Sequence, residues 1–333
     1  MERTLEAAIW RLYKSFGEPI VETPSVCLAR ILKEFCADIR DVPEDTIVRR
    51  LEKVTKDRVQ LGKLRALPAV AQRSEEWFAL RRERLTASDA FKALENNRTR
   101  DSLVRNKAFP ETVRYSSSAP TEWGKMFEPM ALRVYRARCA QVPVHEFGLI
   151  PHPTLHCFGA SPDGITDLGV MIEIKCPYSR EIKPNYIPEY YEVQMQGQMA
   201  VCGLTDCDYI ECKMVEYKTM EEFVTKTKRA AHPEDFGIVI KVGGGGSGGG
   251  EEGYEYSPPL ATANEVLEWA ERICSEVNAE KIIMWSLNEI VVQRVKFDPV
   301  RWQSMVPKFE KFWEDVVAAR KQPRDRVEFI DDD

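Results

Sequence analysis

SPDGITDLGVMIEIKCPY, residues 161–178, is the stretch on which the fold turns. It puts Asp163 in a Ser-Pro-Asp-Gly turn, Glu173 ten positions later and Lys175 two beyond that, in a run otherwise rich in strand-forming apolar residues. Side chains alternate across a strand, so Glu173 and Lys175 share one face of IEIKC while Ile172, Ile174 and Cys176 share the other. A hairpin of this length returns Glu173 close to Asp163. Carboxylates brought together repel unless a cation lies between them, and a hard divalent ion such as Mg²⁺ takes oxygen ligands. An ammonium beside it, from Lys175, can orient or deprotonate a water nucleophile and offset charge growing on a phosphoryl group. On these residues alone, the other reading is a solvated turn followed by an exposed Glu/Lys pair.

Outward from that stretch, residues from about 147 to 177 read as short strands around a glycine turn. Pro188 opens a helix, PEYYEVQMQGQMAVCG, that Gly203 closes as a C-cap, and CDYIECKMVEY then alternates as a strand. Upstream, Ser74 is an N-cap for a helix with Glu75 and Glu76 in its first turn, and Trp77, Leu80 and Arg81 at helical spacing. Thr86 with Asp89 three later reads as a capping box starting another helix. Downstream, ATANEVLEWAERICSEV is a helix, KIIMWSLNEIVVQRVKF reads as a hairpin, and Asp298-Pro299 caps a last helix carrying Trp302, Phe309, Phe312 and Trp313.

Residues 1–70 read as amphipathic helices broken at Pro19, Pro24 and Pro43, a helical N-terminal extension to a domain over about 71–330. The glycine-rich stretch cannot bury a core and predicts a flexible insertion at about 230–259. A chain of 333 residues with 44% hydrophobic content has ample material for a packed core. The net charge of -6 argues against a broadly basic binder but leaves room for a local basic face. Nine scattered cysteines predict free thiols, and no apolar run reaches the roughly 18–20 residues a bilayer needs. With no apolar signal core at MERTLEAAIW, the expected location is the cytoplasm or nucleus of a host cell, away from membranes.

Asp, then Glu-x-Lys, is the motif of the PD-(D/E)XK nucleases. RSEEWFALRRERLTASDAFKAL, TEWGKMFEPMALRVY, ASPDG, IEIKCP and YYEVQMQGQ occur here in the order found in the YqaJ-type viral recombinases, and the chain resembles the lambda exonuclease family. The likeness covers about 71–215 firmly and leaves out residues 1–70 and the glycine-rich insertion. It implies an α/β fold of the PD-(D/E)XK nuclease type, with a central mixed β-sheet flanked by helices. It also implies catalytic roles for Glu128, Asp163, Glu173, Lys175 and Gln194. Metal ligands would be Glu128, Asp163, Glu173 and the carbonyl of Ile174, holding Mg²⁺ or Mn²⁺, two ions per site. Gln198 lies one helical turn from Gln194 on the same face.

Arg81, Thr86 and Ser88 match the block that grips a 5′ phosphate, and a helix start with two hydroxyls and a guanidinium makes sense as an anion pocket. The activity implied is 5′-to-3′ exonuclease digestion of double-stranded DNA ends. It would leave 3′ single strands for a single-strand annealing protein, in recombination or repair by a virus or mobile element. A ring-shaped homo-oligomer, a trimer, is the implied assembly. Two rivals stand beside this: an endonuclease on the same site, and a non-catalytic DNA-binding recombination scaffold. Some related nucleases carry an iron–sulfur cluster, but Cys207 and Cys212 fall on opposite strand faces, so Cys202, Cys207 and Cys212 read as core.

Overall fold

The structure, a computed structural model, describes residues 2–17, 23–68, 70–72, 74–95, 97–112, 118–243 and 253–322. The amphipathic pieces of the extension form α1 (Glu2–Phe16), α2 (Ser25–Phe35) and α3 (Glu44–Arg65). Pro24 and Pro43 stand at the N-caps of α2 and α3, where a residue need not donate an N–H; Pro19 lies outside the described residues. The helices bury Ile9, Leu32, Ile47 and Leu51 together with Val142 and Leu168, so the extension shares a core with the segment after it.

Next come α4 (Glu75–Arg82), β1 (Leu85–Thr86), a 3-10 turn at Ala87–Asp89, α5 (Ala90–Leu94), α6 (Arg98–Ala108) and α7 (Ala119–Arg138). The Ser74 hydroxyl accepts the Trp77 N–H, the cap expected there. Thr86 caps no backbone N–H. Its hydroxyl binds the side chain of Asp89 instead, and the chain continues as a 3-10 turn and a five-residue helix rather than a boxed α-helix. The difference stems from β1, which pairs in parallel with a later strand and fixes Leu85 and Thr86 as extended chain.

Strands β2 (Val144–His145), β3 (Ile150–Pro151), β4 (Phe158–Ala160), β5 (Gly164–Thr166) and β6 (Met171–Lys175) precede α8 (Glu189–Cys202) and β7 (Asp206–Tyr217). The chain then runs through α9 (Met220–Thr227), β8 (Phe236–Val242), β9 (Gly253–Tyr256), α10 (Ala263–Glu276), β10 (Ala279–Lys296) and α11 (Pro299–Arg320). The main sheet is mixed, in the order β2-β5-β6-β7-β10-β8-β9, and only β6 and β7 run parallel in it. Parallel neighbours need a long crossover, and α8 is that crossover. The α/β architecture expected from the sequence is the one observed. Among the described residues, no helix is long and apolar enough to cross a membrane.

Alternation along β6 divides the sheet into two faces. Ile172, Ile174 and Cys176 pack with Trp123, Phe127 and Met130 of α7, whereas Met171 packs with Val193, Met195 and Met199 of α8. Each fully buried side chain of this size contributes on the order of 1.5–3 kcal/mol. Glu173 and Lys175 therefore lie beneath α8. Helix α8 comes close to β4 because residue 197 is glycine: a Cβ there would stand 2.8 Å from Cζ of Phe158. Gly203, at φ 66°, ends the helix in the left-handed region.

The structure differs from two further expectations. Residues 281–297 form no hairpin; β10 is one strand of 18 residues. It pairs with β7 on one side and β8 on the other, with a register shift between Leu287 and Glu289. The Ser-Leu-Asn stretch is an irregularity inside a strand that β7 and β8 hold along both edges, not a turn. Nor is 230–259 a flexible insertion throughout: buried β8 and its partner β9 fall within it, and residues 244–252 lie outside the described residues. Cys207 and Cys212 enter the clusters on opposite faces of the sheet. Burial pushes the Cys202 and Cys212 thiols up to about 12, so both stay protonated at neutral pH.

Candidate active site

The β5–β6 hairpin pairs Gly164 with Ile172 and Ile165 with Met171. That register returns Asp163 to the start of the Glu-x-Lys segment, and its Oδ2 accepts the Ile174 backbone N–H at 2.7 Å. Burial pushes the Asp163 carboxyl well above its usual range. The charges of Glu173 and Glu128 push the same way, while Lys175 and the Ile174 N–H oppose them. Glu128 comes from α7, beside the apolar stripe of Trp123, Phe127, Met130 and Val134, and the helix runs through Pro129.

Glu173 is fully buried, and its partners come from α8 and from its own strand. Gln194 donates to Oε1 at 2.6 Å and Gln198 to Oε2 at 2.7 Å, and Lys175 Nζ stands 2.5 Å from Oε1. Polar residues on a helix usually face water; here both glutamines turn inward because the Glu173 carboxylate below them needs donors. Burial alone would lower the Lys175 pKa, but the carboxylates of Glu173 and Asp163 outweigh it and hold the amine above its ordinary value. In its charged form the amine can offset charge growing on a phosphoryl group. Its Nζ lies 4.7 Å from the Tyr191 ring centroid. A cleft of about 410 Å³ opens here, lined by Glu128, Ile174, Lys175, Tyr178, Arg180 and Tyr191 among others.

The expected ligand set of Glu128, Asp163 and Glu173 does not close into a cage. Among the described residues, no three His, Cys, Asp or Glu side chains are arranged to hold a metal ion. Both oxygens of Glu173 are engaged by Gln194, Gln198 and Lys175. The donor chemistry still fits a hard divalent ion. Mg²⁺ is held through one or two carboxylates with water and substrate phosphate completing its shell, rather than by an all-protein cage. Asp163, crowded by two like charges, is the side chain that such an ion would relieve.

Arg81, Thr86 and Ser88 are brought together in a second cluster. Arg81 Nη2 donates to Ser88 Oγ at 3.3 Å, and the Thr86 and Ser88 hydroxyls lie 3.1 Å apart. Thr86 is buried with its proton directed to Asp89 Oδ2, whereas Ser88 is exposed. Burial would raise the Asp89 carboxyl, yet Lys107, Lys92 and Arg81 hold it below its ordinary value. The cluster is therefore built from side chains around an internal counter-ion; α5 is too short to offer a helix-dipole site.

Trp77 ties the two clusters together. The Arg81 guanidinium carbon lies 4.4 Å from its ring centroid, and its Nε1 donates to Ser161 Oγ at 3.0 Å, two residues before Asp163. The sequence shows Trp77 only as an apolar position of α4. Tyr191, Ser161 and Lys107 also escaped sequence reasoning; among them only Tyr191 has a local signal, its place on the glutamine-bearing helix.

Residues 76–208 match the family model of the YqaJ-like viral recombinase domain, so the resemblance carried by the five sequence blocks is borne out over this segment. Among particular proteins, the chain is similar to an uncharacterized protein of Acanthamoeba polyphaga mimivirus, 26% identical over 321 residues, covering 81% of this chain. It spans 56% of that relative's length. The crystal structure of an alkaline exonuclease from Laribacter hongkongensis aligns with 74% of this chain and 95% of its own, at 22% identity and a TM-score of 0.48. That of a phage-related exonuclease from Haemophilus somnus aligns with 71% and 93%, at 11% identity and a TM-score of 0.40.

Proposed function

We propose that this protein is a divalent-metal-dependent deoxyribonuclease that digests double-stranded DNA from 5′ ends and leaves 3′ single strands for recombination or repair. The observation that carries the reading is the hairpin that sets Asp163 against the Ile174 N–H, with Glu173 and Lys175 beside it on the face beneath α8. Asp163 and Glu128, with Glu173 and the Ile174 carbonyl close by, are the groups that would hold Mg²⁺ or Mn²⁺. When bound, such an ion supplies Lewis-acid chemistry, easing deprotonation of water and offsetting charge on phosphoryl oxygens.

The chain's own residues do the rest. The Lys175 ammonium balances charge that grows on the scissile phosphate. Gln194 and Gln198 keep the Glu173 carboxylate in one orientation, so no reorganisation is needed at the moment of reaction. Arg81 and the exposed Ser88 hydroxyl take the terminal 5′ phosphate, and Trp77 fixes that pocket relative to the Asp163 turn. The pocket favours an end-dependent enzyme over an endonuclease on the same site. Linear and covalently closed circular forms of one plasmid, incubated with Mg²⁺, test this: loss of the linear form alone, faster with 5′-phosphate than 5′-hydroxyl ends, is expected. Nicking or linearisation of the circle would overturn the end-dependent reading.

A further inference from the structure

An enzyme that grips a terminal phosphate at one place and cuts the next phosphodiester at another must hold the nucleotide between them. We propose that Tyr190 is the platform on which the base of that terminal nucleotide stacks. The inference rests on the exonuclease reading above and adds to it a residue that positions the substrate. A continuous run of rings joins the two phosphate-handling clusters. Lys175 Nζ lies over Tyr191, whose ring centroid is 4.2 Å from that of Tyr190. Tyr190 in turn meets Phe91 edge-on at 6.3 Å, and Phe91 stands on α5, three residues after Ser88.

Within this run Tyr190 is the most exposed ring. It is 43% exposed, while Tyr191 and Phe91 are partly buried against the core. A large exposed aromatic braced on both sides has few conformations to lose when a base lands on it. Base–aromatic stacking is worth roughly 1–3 kcal/mol and is indifferent to sequence, since every base has a π-face. Tyr190 would therefore tighten binding of any terminal nucleotide without reading its identity, and would act on substrate affinity rather than on the bond-breaking step.

The test is nucleotide release by the full chain from linear 5′-phosphorylated duplexes whose terminal nucleotide carries guanine or is abasic. For the unaltered protein, the abasic end raises KM about 10-fold, as 1.4 kcal/mol of lost stacking implies, with kcat little changed. In Tyr190→Ala the ratio of the two KM values collapses to about one, and in Tyr190→Phe it returns. A Tyr190→Ala protein that keeps the 10-fold ratio, or loses kcat on both ends alike, overturns the platform while leaving the nuclease reading intact. An unaltered protein that releases nothing from either end overturns both.

Discussion

Lys175 Nζ and Glu173 Oε1 stand 2.5 Å apart at the floor of the cleft, an ion pair whose acid member is wholly buried and whose base reaches the open space. The two charges arise from one strand face, two residues apart, and serve different ends. Glu173 is locked to α8, while Lys175 lines the cleft.

Replacing Lys175 by Met removes that charge and keeps the length of the side chain. A preorganised charge of this kind contributes on the order of 10²- to 10³-fold to kcat. Lys175→Met is expected to lose that much in kcat with KM for duplex ends changed far less. Single-turnover rates at saturating enzyme check it, and a loss confined to KM would refute the role.

Gln198 donates to Glu173 Oε2 from a buried position. Groups that orient a metal-side carboxylate typically contribute roughly 10- to 100-fold, and a buried acceptor left unpaired costs about 1–3 kcal/mol. Gln198→Ala should therefore lower both activity and stability. Rates measured beside urea midpoints would show it; unchanged values of both would remove Gln198 from the account.

Gly197 separates α8 from Phe158 by less than a methyl group allows. Overpacking of this kind costs about 1–3 kcal/mol. Gly197→Ala should destabilise the fold by that amount and, by lifting the glutamine-bearing helix, reduce kcat also. An active variant of undiminished stability would mean that the helix tolerates the shift.

The extension is fastened by charge as well as by apolar packing. Arg294 of β10 binds Glu6 of α1 and Asp208 of β7, and Arg50 of α3 reaches both Glu6 and Asp206. Removing one partner of a buried ion pair costs about 3–5 kcal/mol, so Arg294→Met should unfold at markedly lower urea. Burial would raise the Asp206 carboxyl, but Arg50, Lys53 and Lys296 hold it far below its ordinary 3.8. A depressed acid stabilises the fold fully above its unfolded pKa and loses that contribution as pH falls through the folded one. Stability should thus fall below about pH 4, and Asp206→Asn should be less stable at neutral pH with a shallower acid limb. Urea melts from about pH 2 to pH 7 give both slopes, and parallel curves would refute it.

Alternation and capping made much of this legible. The faces of β6 and the limits of α8 between Pro188 and Gly203 arise from local spacing. What failed was non-local. Whether Ser286–Glu289 turns or bulges depends on β7 and β8 pairing along both edges of β10, and the strand pairing of β1 is what redirects the Thr86 hydroxyl. The engagement of Glu173 by both glutamines was hidden because a glutamine's periodicity on a helix says nothing about the charge beneath it. Trp77 became visible as a link only once Arg81 and Ser161 were seen on either side of its ring system.

If Asp163 and its acidic neighbours recruit a divalent ion to hydrolyse DNA from its ends, release of nucleotide must depend on both the ion and that carboxylate. Acid-soluble nucleotide released from linear 5′-phosphorylated duplex should accumulate with Mg²⁺, stop with EDTA, and be absent in Asp163→Asn under both conditions. Release that persists in EDTA or in the Asp163→Asn protein would contradict the account.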